Sequence, residues 1–260
     1  MRNYAHIALA LAAMPVLSVA QTLETSIITD WETVSYYGSV DETHKAIDSA
    51  VAYADAIFTE QLGINIQITH VDAPLSASDD TIENHTHVTF LMESVFDYRI
   101  NNAEHMDADV TLFLSVRDLS SGSTDYAGYA NIKSVCSANA IALVELTNNG
   151  LDGETLAHEL AHVLGAVHDG DAPCEDTSAH GYLMSHAVHT GNSQLSQCSI
   201  DTIKSVVEVY GYCMVENDPV TPVVTPVPTQ TGGAGSMDIF FLLILIAVFS
   251  AQSTRTDLNA

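Results

Sequence analysis

From residue 41 to 62 apolar side chains recur at helical spacing: Ile47, Val51, Ala54, Ile57, Phe58 and Leu62 share one face. Asp41 offers a start signal and Gly63 a stop. The period then changes. Ile64, Ile66 and Ile68 alternate with polar residues, which predicts a half-buried strand over 64–73. Residues 25–38 have strand character and close at Gly38, 88–103 read as a second helix, and 108–116 and 140–146 as buried strands. The stretch 78–87 is polar loop, and 120–131, rich in Gly and Ser, is loop or sheet edge. A helix starting at Asp152 or Gly153 carries the stripe Leu156, Leu160, Val163 and Leu164. A last one over 199–213 puts Ile200, Ile203, Val206, Val207 and Tyr210 on one side. Strands alternating with helices predict an α/β (α+β) fold with a mixed, mostly parallel twisted sheet.

The two ends break the pattern. Arg2, the apolar run 7–17 and the small residues Ser18 and Ala20 predict a secretory signal peptide over 1–20, cleaved after Ala20. The folded domain is expected over 21–215. Pro and Thr alternate through 216–231, an extended linker. Residues 232–260 hold Gly232-Gly233, small residues, the apolar run 239–251 and a polar tail with Arg255. That run is shorter than the roughly 20 residues a membrane span needs.

Charge and cysteine content narrow the function. The chain has 33 acidic and 7 basic residues, a formal net charge of −26. Too few cations are present to displace phosphate counterions, so nucleic acid is excluded as a partner. Four cysteines in an exported chain predict two disulfides, and three pairings are open.

The chemistry concentrates in HELAHVLGAVHDG, residues 158–170. His158 and His162 are four apart and project from one side of a helix, so they can hold one zinc ion. Glu159 points in an adjacent direction, where it can reach a metal-activated water as general base. A glycine at 165 can adopt the left-handed conformation that ends the helix, and His168 then returns as third ligand. Three protein ligands leave a fourth position open, as a catalytic zinc requires. A structural zinc would take a fourth protein ligand and has no use for Glu159.

HELAHVLGAVHD resembles the HExxHxxGxxHD signature of the metzincin metallopeptidases, and Asp169 places the resemblance in the reprolysin (adamalysin, ADAM-like) branch. GYLMS (181–185) is similar to the methionine turn of that group, with Met184 as the turn residue. GYANIKSVCSANAIALVE (128–145) resembles the edge strand, cysteine and following strand that lead to the zinc helix. The resemblance implies a metzincin-type catalytic domain with one catalytic Zn2+, and it assigns no calcium. It implies zinc ligation by His158, His162 and His168, with Glu159 as catalytic base. It also implies the disulfides Cys136–Cys213 and Cys174–Cys198. Tyr182 stands where reprolysins carry a cysteine, and no proline follows the turn. Astacins and serralysins carry a tyrosine two residues after the turn methionine that reaches the zinc site; His186 has that offset and could contact the oxyanion. The plainer reading, a solvent-facing histidine beside His180 and His189, is preferred.

The implied function is a secreted or cell-surface zinc endopeptidase acting on protein or peptide substrates. Two rivals differ in class: a catalytically inactive binding or adhesion module, and a zinc hydrolase of non-protein amides. Intact Glu159 and three histidines count against the first. The C-terminal order of parts resembles GlyGly-CTERM sorting signals, which implies processing near 232–236 by a rhomboid-family protease. The alternatives are a retained membrane segment at 239–251 and a GPI signal.

Overall fold

A computed structural model describes residues 20–147 and 149–217. Its first strand, β1 (Ala20–Ile28), stops well short of Gly38. The expected strand over 25–38 is therefore broken in two. Asp30 is the cause: its carboxylate accepts the Thr33 amide at 2.8 Å and caps the short helix α1 (Trp31–Tyr37). An aspartate that satisfies a free backbone amide favours a helix start, and here that outweighs the strand propensity of Val34 and the tyrosines.

Helix α2 (Val40–Leu62) is capped by Ser39, whose Oγ accepts the Glu42 amide at 3.2 Å. Asp41 is not the cap but lies in the first turn, where negative charge suits the helix dipole. The helix buries Ile47, Ala50, Val51, Ala54, Ile57 and Phe58 and ends at Gly63. Then follow β2 (Ile64–Asp72), α3 (Val88–Asn101), the one-turn α4 (Ala103–Met106) and β3 (Val110–Ser115). The Gly- and Ser-rich stretch forms a hairpin, β4 (Leu119–Ser121) with β5 (Thr124–Tyr126), and the edge strand β6 (Gly128–Ala130). Next are β7 (Ile141–Glu145), α5 (Asp152–Val163), α6 (Gln197–Tyr210) and β8 (Val215–Asn217).

The main sheet runs β2-β1-β3-β7-β6. The first four strands are parallel; β6 is antiparallel to β7. β8 adds antiparallel to the start of β1, so paired structure continues to Asn217, beyond residue 215. Successive side chains of a strand face opposite sides, and two cores result. Leu112, Leu114, Ala142 and Val144 face α2, α5 and α6, whereas Phe113, Ile141 and Leu143 face α3. Cover on both faces explains why the β3 and β7 segments are almost uninterrupted apolar runs.

The segment 1–20 expected as a signal peptide, apart from Ala20, and the apolar run 239–251 lie outside the described residues. Among the described residues no helix is long and apolar enough to cross a membrane.

Candidate metal centre

The site grows from α5, in which every residue from Gly153 to Val163 is buried. Asp152 is the first residue of the helix and does not cap it; its Oδ1 accepts the Thr147 amide at 2.9 Å and steadies the loop before it. The helix stops at Gly165, which has φ +105. Two constraints meet there. The backbone lies where L side chains are strained, and a Cβ would fall 2.5 Å from Val206 Cγ2 of α6. The turn carries His168 back toward the helix.

The ring nitrogens converge. His158 Nε2 is 3.3 Å and His162 Nε2 3.2 Å from His168 Nε2. The outer nitrogens are occupied: His158 Nδ1 donates to the Leu183 carbonyl at 2.7 Å and His162 Nδ1 to that of Ala166 at 2.8 Å. Those bonds fix the tautomer that leaves a lone pair on each inner nitrogen. Two lone pairs facing one point need a cation or a proton between them. Burial pushes His158 down to about 3 and His162 to about 4, each aided by neighbouring histidines, and burial lowers His168 too. Protons are thus disfavoured and the neutral, metal-ligating form is kept. Tetrahedral zinc with bonds of roughly 2.0–2.1 Å would separate its ligand nitrogens by about 3.3 Å. The donor set fits that ion.

Glu159 lies 5 % exposed beside this point. A Cβ on Gly128 would fall 2.6 Å from Glu159 Cγ and Oε1, so the glutamate packs flush against the edge strand β6. Burial pushes its carboxyl up to about 8. Met184 is fully buried in the core that holds Leu160 and Leu164, and its carbonyl accepts the Asp169 amide at 2.8 Å. His186 stands at the mouth with its ring 4.4 Å from that of His168 and its Nε2 3.5 Å from Asp171 Oδ1. It is half-exposed. The disulfides join Cys136 to Cys213 and Cys174 to Cys198. The second ties the segment after His168 to α6.

Sequence reading missed two features. Asp169 is fully buried and accepts Ser196 Oγ at 2.6 Å and Ser199 Oγ at 3.3 Å, anchoring the His168 turn to the start of α6. A second cluster gathers His70 and Asp72 of β2 with His105 of α4. His70 Nε2 is 2.9 Å from Asp72 Oδ1, while His105 Nε2 and Tyr98 OH are each 2.8 Å from Asp72 Oδ2. No local spacing signals that pairing.

Together these features define an α/β domain with three neutral histidines and a buried glutamate converging at the open edge of its sheet. A family model described as "Reprolysin (M12B) family zinc metalloprotease" matches residues 21–219, and the chain belongs to that family. Its fold is the metzincin type. Among curated relatives, "A disintegrin and metalloproteinase with thrombospondin motifs 1" from Bombyx mori is 24% identical over 172 residues, which are 64% of this chain and 17% of that protein. The mouse (Mus musculus) protein "A disintegrin and metalloproteinase with thrombospondin motifs 12" is 23% identical over 212 residues, 76% of this chain and 13% of that protein. The chain thus spans less than a fifth of either relative. A chain in the solved "Structure of a chaperone-substrate complex" aligns with TM-score 0.47 and 16% identity over 58% of this chain and 24% of that one.

Proposed function

We propose that this domain is an exported zinc endopeptidase in which His158, His162 and His168 hold one zinc and Glu159 is the general base. The observation that carries the reading is that the inner nitrogens of His158 and His162 each lie 3.2–3.3 Å from that of His168, with the outer nitrogens of His158 and His162 already bonded. Zinc in that position supplies Lewis acidity, the means of making water nucleophilic near neutral pH and of polarising a carbonyl.

The chain's own residues do the rest. Glu159 takes a proton from the attacking water and hands it to the leaving amine. Burial raises the Glu159 carboxyl; with a divalent cation held by the three histidines, its charged, proton-accepting form would be favoured again. Gly128 lets the glutamate lie against β6. Among the described residues no strand pairs with the outer edge of β6, which can take an extended peptide by strand addition. A cavity of about 610 Å3 runs along this edge and includes Tyr129, Thr155, His158, Glu159 and Val188. It is large enough for side chains of a bound peptide. Export is supported by the leader-like N-terminus and by the two disulfides, which persist in oxidising compartments.

The test is casein cleavage by the purified protein, with and without a chelator. Cleavage abolished by the chelator and restored by zinc is expected. Full cleavage in the metal-stripped protein, or none in protein carrying one zinc, would end the reading.

A further inference from the structure

The cavity beside the histidines is electrostatically one-sided. Its lining includes Asp125, Glu145 and Glu159 and contains no lysine or arginine. Glu145 closes β7 and is half-buried, with Oε2 accepting the Leu119 amide at 3.3 Å. Burial raises its carboxyl, and Asp118, Asp125 and Asp152 each push it further the same way. Asp125 and Glu145 therefore line the end of the cleft away from the three histidines, with no lysine or arginine among the lining residues to offset them. Low-dielectric walls focus such a field on whatever enters.

Antiparallel addition to β6 sets which part of a peptide meets that field. β6 is the outer strand of the sheet. Gly128 at its start abuts Glu159, and the preceding Ala127 accepts the Glu145 amide at 2.8 Å. A peptide added antiparallel to β6 has its C-terminal half toward the start of that strand. Residues following the scissile bond therefore pass Asp125 and Glu145.

We propose that the domain selects substrates with a lysine or arginine on the C-terminal side of the cut, with Glu145 as the specificity-determining residue and Asp125 assisting. This rests on the endopeptidase reading above for the cut itself, but not for the preference in binding. The long aliphatic stem of such a side chain suits the apolar part of the cavity, Leu151 and Val188, while its charge reaches Glu145.

Two measurements test it. In the first, wild type, Glu145→Gln and Asp125→Asn digest a random peptide library, and cut sites are read by mass spectrometry. In the second, binding of labelled decapeptides that differ only by lysine, norleucine or glutamate at one position is measured on zinc-loaded Glu159→Gln, with and without Glu145→Gln. Glutamine keeps an acceptor for the Leu119 amide, and circular dichroism checks the fold. Asp125 is exposed, so its variant tests the field even if the Glu145 variant misfolds. We expect lysine and arginine to be enriched after the cut in wild type. The lysine peptide should bind at least about tenfold more tightly than norleucine, a preference that shrinks with salt. It should vanish in Glu145→Gln and weaken in Asp125→Asn. Cleavage with no basic enrichment, or enrichment untouched by both variants, overturns the proposal and leaves the peptidase standing. Absence of cleavage with the binding preference intact overturns the peptidase and leaves the charge selection standing.

Discussion

The histidines at 158, 162 and 168 and those at 70 and 105 differ in what lies between them. In the first group nitrogen faces nitrogen at 3.2–3.3 Å, and the lone pairs of His158 and His162 are both turned toward His168 Nε2. In the second, Asp72 sits between the rings and takes hydrogen bonds from His70, His105 and Tyr98 at 2.8–2.9 Å. The outer nitrogens differ as well. Those of His158 and His162 are held by carbonyls, whereas His105 Nδ1 is buried without a partner. A ligating histidine is usually oriented through its second nitrogen. One cluster is arranged to be completed by a cation; in the other a carboxylate between the rings already takes their hydrogen bonds. Counting histidines and carboxylates within reach would not separate them.

The strongest attack on this contrast is metal analysis. His162→Ala should reduce bound zinc from one per chain to none, while His105→Ala should leave it at one. Two zinc ions in wild type, one lost with His105, would erase the distinction. Next is Glu159→Ala, expected to keep its zinc and lose about 10²–10⁴-fold in kcat. That outcome would separate ligation from proton transfer inside the first cluster.

The third test concerns stability. Asp72→Ala strands the buried His105 and should cost roughly 1–3 kcal/mol in denaturant unfolding, with zinc content unchanged. The pH dependence has a definite sign. Burial alone would raise Asp72, but hydrogen bonds from His105, Tyr98 and His70 outweigh it and hold the carboxyl below 3.8. Its contribution is present above that unfolded value and is lost as pH falls through the lower folded one. Burial also lowers His105 below 6.5, so the folded form binds fewer protons there and stability declines as pH drops past 6.5. His105→Gln should flatten that first decline. The smallest effect is assigned to His186→Ala, which should change kcat/KM less than about tenfold, under 1.4 kcal/mol. A larger fall, confined to kcat, would bring His186 into the transition state.

Periodicity made α2, β2, β3, β7 and α5 legible because each buries one face, or both, in a regular register. The histidine turn was legible for a different reason: its ligands lie within eleven residues of one another, so local geometry brings them together. Thr25 to Gly38 misled because composition favoured a strand and the deciding bond was a single cap at Asp30. His70 and His105 were invisible as a pair, since β2 and α4 meet only in the folded sheet layer. The same holds for Glu145, whose neighbours Asp118, Asp125 and Asp152 come from three different segments.

The joining of β8 to β1 has a mechanical consequence. A pull applied to the chain at Asn217 loads first the antiparallel pairing of β8 with the start of β1, Gln21 with Glu216 and Thr22 with Val215. They open one after another, like a zip. The load then reaches Cys213, which is bonded to Cys136. Covalent linkage halts the peeling there and diverts force into the segment between β6 and β7, past the remainder of α6. A tether at this end can therefore be tugged without unravelling the helix that packs on Gly165 and braces the histidine turn.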